Sequence, residues 1–179
     1  MDYIKERGVR MFEIGELIIY GNTGVCEVMG VTKPQMAGVS DERLYYELKP
    51  RFQRESRIMT PVENAKVPMR RILNKTEAMQ LINDMPNIDA LRIESDKIRE
   101  ATYKECIRSG DCVQWIRIIK TLYDRRLERQ RQGKRMTATD ERYLRQAEDY
   151  LYSELSIPLD MPRENVESFI TETINKASA

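Results

Sequence analysis

The side chains in this sequence with the most to offer chemically are its cations. Residues 97–145 hold 14 Lys and Arg against 7 Asp and Glu, whereas residues 146–179 hold 2 against 7. Over the whole chain the charges nearly cancel, with 30 basic and 29 acidic residues. The information therefore lies in the partition. A basic block beside an acidic tail suits contact with nucleic acid or with an acidic protein surface. A solvated pair of amphipathic helices would give the same partition, and composition leaves both readings open. The densest group, Arg125, Arg126, Arg129, Arg131, Lys134 and Arg135, surrounds a predicted helix end. Cations complement the backbone dipole there whether or not they meet a ligand.

Other chemistries are poorly supplied. Histidine is absent, which removes the commonest general base, the commonest metal ligand and every Ser-His or Cys-His nucleophile. Asp and Glu are scattered on helix faces opposite Lys and Arg. No Gly-rich phosphate loop occurs, and Gly133-Lys134 lacks a partner glycine at the needed spacing. Cys26, Cys106 and Cys112 form no C-x-x-C pair. They fall on apolar positions of predicted elements, where cysteine acts as a small buried hydrophobe. A non-enzyme with no metal and no cofactor is expected. No apolar run approaches the ~18 residues of a membrane helix, and the first residues lack the apolar core of a signal peptide. The expectation is a cytoplasmic protein with no membrane partner.

Two kinds of element must position these side chains, and 179 residues suffice for two small domains. Residues 1–10 have no usable periodicity and are expected to form a disordered tail. From Met11 to Val67 the signals are strand-like. Phe12, Ile14, Leu17 and Ile19 alternate with Glu13 and Glu16, interrupted by Gly15, and Val25 to Val28 alternate again. Gly21-Asn22-Thr23-Gly24 supplies the residues of a tight turn. Met29 to Thr32, Leu44 to Leu48 and Ser56 to Thr60, the last closed by Pro61, complete a set of four or five short strands. So little chain bent into so many strands predicts a small barrel of the Tudor or SH3 kind.

Beyond Pro68 the period becomes helical. Asn74 with Glu77 reads as a cap for a short helix carrying Ala78, Met79, Leu81 and Ile82. Asn83 to Ile93 reads as a loop, followed by a helix from about Ser95 to Arg108. Asp111 caps the next helix, with Cys112, Trp115, Ile119 and Leu122 on one stripe, and Gly133 stops it. That places Trp115 in the core. Thr137 to Asp140 opens a helix with Leu144, Ala147, Leu151 and Leu155 on its apolar face, and a last helix carries Val166, Phe169, Ile170 and Ile174. The fold class is α+β, with a small N-terminal Tudor/SH3-like β-barrel over 11–67 and a four- to five-helix C-terminal domain over 68–179.

The opening string MFEIGELIIYGNTGVCEV (Met11–Val28), the segment Thr60-Pro61-Val62-Glu63-Asn64-Ala65, and the spacing from Tyr103 through Arg108-Ser109-Gly110-Asp111 to Tyr143-Leu144-x-x-Ala147 together resemble the CarD/CdnL family. These are bacterial transcription regulators that bind RNA polymerase, and their N-terminal module is shared with the transcription-repair coupling factor. The resemblance implies that the barrel pairs an edge strand with the polymerase β subunit, an augmentation in which main-chain hydrogen bonds give affinity. Val31 to Gln35 and Arg57 to Thr60 are the candidate edges. Lys33, Arg54 and Arg57 are the candidate rim charges, and Met59 stands where the family commonly carries a basic residue.

The resemblance also implies that the helical domain meets promoter DNA at the upstream edge of the transcription bubble. Well-studied members insert a tryptophan into the minor groove there. The corresponding stretch here, Ala90-Leu91-Arg92-Ile93-Glu94-Ser95, has none. What remains is contact with phosphates, which positions a protein without reading sequence. The candidates are Lys97, Arg99 and Lys104, with Arg142 and Arg145 two elements later and Arg92 placed to enter a narrowed minor groove.

Two readings follow. In the first, the barrel binds polymerase and the helical domain modulates the open promoter complex. In the second, the chain is a protein-interaction adaptor that does not touch DNA, which the missing tryptophan and the near-neutral charge favour. A monomer is expected, although an exposed edge followed by a loop also permits a domain-swapped dimer.

Overall fold

Leu17–Tyr20 (β1) and Gly24–Thr32 (β2) form the first antiparallel pair, with Ile18 opposite Cys26 and Ile19 opposite Val25. This is a computed structural model, and it describes residues 12–33, 43–52, 56–64 and 66–177. The expected tail, the loop around Gly38 and the candidate Arg54 lie outside those residues. Gly21 makes the β1–β2 turn close: its φ is +43°, and a Cβ there would sit 2.5 Å from Val67 Cγ1. A side chain there would be strained by the positive φ and would force the Val67 side chain to shift. The strand begins later than the alternation suggests. Phe12 to Glu16 form a turn in which Glu16 N donates to Glu13 O (3.0 Å) and Gly15 takes φ +85°. Ile14 is 70% exposed as a result.

Tyr45–Pro50 (β3), Ile58–Pro61 (β4) and Met69–Arg71 (β5) complete an antiparallel sheet in the order β4-β3-β2-β1-β5. Its core is Phe12, Ile18, Cys26, Val28, Tyr46, Leu48 and Val62. Phe12 N donates to Tyr46 Oη (2.8 Å), and the two rings lie 5.7 Å apart. Ile19 and Val25 are buried on the opposite face. β5 lies past Val67, where the strand signals end. Three residues, two of them arginine, show no alternation, and only pairing with β1 makes them a strand. That pairing sets Ile18 opposite Arg71 and Tyr20 opposite Met69.

The chain divides into two compact units, Met1–Ile72 and Leu73–Ala179. In the second, Lys75–Asp84 (α1) begins with a capping box: Asn74 Oδ1 accepts from Glu77 N (2.9 Å) and Glu77 Oε2 from Asn74 N (2.8 Å). A 3-10 turn over Met85–Asn87 and an irregular segment lead to Asp96–Arg108 (α2). Cys112–Arg131 (α3) is capped by Asp111, whose carboxylate accepts from Val113 N at 2.9 Å. Gly133 beyond its end takes φ +68°. Ala138–Ser156 (α4), capped by Thr137, and Arg163–Ala177 (α5) follow.

The core of this unit is built on α3. Trp115, Ile118 and Leu122 have no exposed surface, and neither do Tyr103, Ala147 and Leu155. Trp115 meets the Tyr150 ring at 5.4 Å and its Nε1 donates to Ile107 O at 3.4 Å. Ile119, placed on the buried stripe by the sequence, is only half-buried, and Ile116 takes the inner position. Glu154 is wholly buried, its carboxylate accepting from Leu73 N and from Cys112 Sγ, both at 3.0 Å. It sits at the N-terminal end of α3, where the helix dipole and two donors offset the loss of water.

Replacing Trp115 by Ala should lower stability by about 3–5 kcal/mol through the cavity it leaves, measured by denaturant unfolding. A change under about 1 kcal/mol would contradict the core assignment. A fragment of the first unit that ends at Val67 loses β5 and exposes the flank of β1. It should melt lower or self-associate, whereas a fragment ending at Ile72 should unfold cooperatively. Indistinguishable melting curves would mean that β5 contributes nothing.

Candidate functional site

On the first unit the sheet order leaves β4 at one edge. Ile58 to Thr60 pair with β3 on one side, so Met59, 42% exposed, stands on the outermost strand, opposite Glu47 in the register. Arg57 reaches back to the same Glu47 (Nη1 to Oε1, 2.5 Å). The other candidate edge is paired on one side: Val31 and Thr32 lie opposite Tyr46 and Tyr45 of β3, whereas β1 pairs with β2 only from Gly24 to Glu27, and Pro34 and Gln35 lie outside the described residues. Lys33 is exposed just past β2. Thr32 is opposite Tyr45, and Tyr45 is opposite Pro61, so Lys33 lies level with the Pro61 end of β4 but across β3 from it, whereas Arg57 directly precedes β4. A bulge between Val28 and Gly30 turns Met29 outward, 43% exposed.

On the second unit the six candidate cations separate into two groups. Arg99 is turned onto Asp96, with only 17% of its side chain exposed. Arg142 pairs with Glu100 at 2.8 Å and lies over the Tyr143 ring, and Arg145 pairs with Glu141 at 3.5 Å. Lys97, Lys104 and Arg92 are exposed and form no ion pair among the described residues. Lys97 and Lys104 share one face of α2 with Ala101 and Arg108, all exposed. The structure thus adds Arg108, which the sequence reading set at the end of the helix without a role. The spacing of seven and then four residues from Lys97 to Lys104 to Arg108 is the signal that marks it. Glu100, beside this stripe, is already neutralised by Arg142.

The dense arginine cluster is largely committed to structure. Arg125 pairs with the buried Asp140 (2.8 Å), Arg126 lies over Tyr123 with Nε 3.2 Å from Met136 Sδ, and Arg129 donates to Arg135 O (2.6 Å). A cleft of about 500 Å³ lies beside them, lined by Arg126, Lys134, Arg135 and Arg145 over Met136 and Leu144.

All three cysteines are buried thiols. Burial pushes Cys26 up to about 12 and raises Cys106, so these two stay protonated at neutral pH. No group of three or more Cys, Asp and Glu is placed to hold a metal ion, and no helix is long and apolar enough to cross a membrane.

Comparison with known proteins matches this two-unit layout. Residues 12–73 match the CarD-like/TRCF RID domain, and residues 89–171 match the CarD, C-terminal domain. The chain belongs to the CarD-like family. That is a family of RNA-polymerase-interacting transcription regulators rather than enzymes. A curated relative is the aspartate carbamoyltransferase catalytic subunit of Thermococcus kodakarensis, 27% identical over 110 residues. The match covers 62% of this chain and 31% of that protein. The chain therefore spans about a third of that relative, and a likeness of this extent carries no argument about activity.

Glu148 of α4 offers a test of the helix packing around the cations. Burial raises its carboxyl above the usual range, Tyr123 Oη donating at 3.1 Å lowers it, and the nearby Glu167 raises it again. A raised carboxylate destabilises the fold when ionised, so stability falls as the pH rises through its folded value. Glu148→Gln, which keeps an acceptor for Tyr123, should raise the melting temperature at pH 7 and have no such effect at pH 4. A lower melting temperature at pH 7 would reverse that assignment.

Proposed function

We propose that the chain binds the RNA polymerase β subunit through the β4 edge of its first unit and modulates the open promoter complex through the cation stripe of α2. The observation behind this reading is the exposed stripe of Lys97, Lys104 and Arg108, without ion-pair partners among the described residues, on the unit that does not hold the sheet edge. Arg57 and Met59 border the edge, Lys33 past the end of β2 remains a candidate rim charge, and main-chain pairing along β4 would supply affinity with the side chains setting register. Arg54 belongs to the same proposal from sequence alone.

The mechanism is stoichiometric. A protein that binds the open complex more tightly than the closed one shifts the equilibrium by the difference. A difference of about 1.4 kcal/mol changes the ratio tenfold, and a few phosphate contacts suffice for that. Lys97, Lys104 and Arg108, with Arg92 on the preceding segment, would make those contacts without reading bases. Arg99, Arg142 and Arg145 would first have to leave their carboxylates, so they rank behind the others as contacts. Their engagement is what favours the competing reading, an adaptor that binds polymerase without touching DNA.

The test is open-complex half-life against salt for the wild type and for Lys97→Glu, Lys104→Glu, Arg108→Glu combined, with core-polymerase binding measured in parallel. The triple variant should bind polymerase as the wild type does and shorten the half-life. Its salt slope should flatten by about one unit for each phosphate no longer neutralised. Equal half-lives and slopes would remove DNA from the mechanism and leave the adaptor.

A further inference from the structure

The segment between α1 and α2 has little regular structure of its own, yet it is tied to α3 at several points. Lys120 Nζ donates to Met85 O (2.6 Å), Ile88 O (2.6 Å) and Pro86 O (3.2 Å). An ammonium has three protons, and here each has a carbonyl. One turn of backbone is thereby held by a single half-buried cation. Thr121 Oγ1 accepts from Leu91 N (2.8 Å) while its hydroxyl donates to Arg117 O (2.7 Å), which fixes the rotor in the accepting orientation. The residue after this last tie is Arg92, whose side chain is exposed.

Lys120 therefore differs in kind from Lys97 and Lys104. Its charge is spent on backbone carbonyls, at charge-assisted hydrogen-bond distances, and is not presented to solvent partners. A side chain that must meet a groove or a phosphate needs its backbone held to a fraction of an ångström by neighbours that are themselves fixed. Lys120 and Thr121 stand on the helix that carries Trp115, Ile118 and Leu122 in the core. A tie to that helix is a tie to the most rigid element of the unit.

We propose that Lys120 and Thr121 are positioning residues: they lock the Met85–Leu91 segment onto α3 and so set where Arg92 meets the DNA backbone. This inference rests on the DNA contact proposed above, and the experiment separates the two. Full-length Lys120→Met, Lys120→Arg, Thr121→Val and Arg92→Ala are compared, together with Lys120→Met and Thr121→Val each combined with Arg92→Ala. Amide exchange at Leu91 and its neighbours reads the anchor, and open-complex half-life reads the function.

The Leu91 amide should exchange about tenfold faster in Lys120→Met and Thr121→Val, with Trp115 fluorescence unchanged. Lys120→Arg, which can still donate to carbonyls, should restore most of the protection. Each anchor variant should shorten the half-life no more than Arg92→Ala does, and the double variants should be no worse than Arg92→Ala alone. Losses that simply add would overturn the positioning role, as would unchanged exchange at Leu91. Should Lys120→Met fail to fold, Thr121→Val, nearly the same in shape, carries the test. Faster exchange with no effect of Arg92→Ala on half-life would instead reject the Arg92 contact, and the positioning role with it, while the triple variant of the α2 stripe decides the DNA contact itself.

Discussion

The rotation of α3 about its own axis is the constraint from which the helical unit follows. Burying Trp115, Ile118 and Leu122 removes enough apolar surface to hold the helix in one orientation. Helix geometry then leaves no freedom for the rest. Lys120 and Thr121 must face the connecting segment, and Arg125 must face α4, where it meets the buried Asp140 at 2.8 Å. Asp140 in turn lies in the first turn of α4, so that ion pair sets where the helix starts, and through it the faces that carry Arg142 and Arg145. One buried stripe thus decides which cations bind structure and which are left for a partner.

The first unit obeys a different constraint. Five short strands cannot all be central, and the order β4-β3-β2-β1-β5 leaves β4 and β5 outermost. At β5, Arg71 pairs with Glu16 (2.5 Å), which puts charge on that flank, a common way of discouraging edge-to-edge association. At β4 the side chain opposite Glu47 is Met59, exposed and uncharged. Both edges carry an ion pair, Arg57 with Glu47 at β4 and Arg71 with Glu16 at β5, and β4 differs in the exposed apolar Met59, which suits a strand-pairing partner. The two proposed surfaces lie on separate units, so each can be altered without the other.

Much of this was legible in the residues because local rules settled it. Asn74 with Glu77, Asp111, Thr137 and Gly133 each cap or end a helix through groups within a few positions of themselves, and the alternation of Val25 to Val28 needs only the pleat. Trp115 could be placed inside because its stripe is apolar over several turns. What escaped depends on distant chain. Met69–Arg71 is a strand only because β1 lies beside it. Val31 is paired on one side because Tyr46 lies beside it. Among the cations, the helical spacings Asp96–Arg99 and Glu141–Arg145 were within reach, whereas no local pattern reveals that Arg142 finds Glu100 or that Glu154 is buried. Arg108 was within reach, since its helical spacing from Lys104 is plain once α2 is laid out.

If the β4 edge meets protein and the α2 stripe meets DNA, photocrosslinking reads both assignments at once. A photoreactive amino acid placed at Met59 in one sample and at Lys104 in another, each irradiated in an assembled promoter–polymerase complex, reports what each position touches. Position 59 should crosslink to the β subunit, and position 104 to promoter DNA near the upstream edge of the bubble. Crosslinks from position 104 to protein alone, or from position 59 to any subunit other than β, would contradict this division of labour.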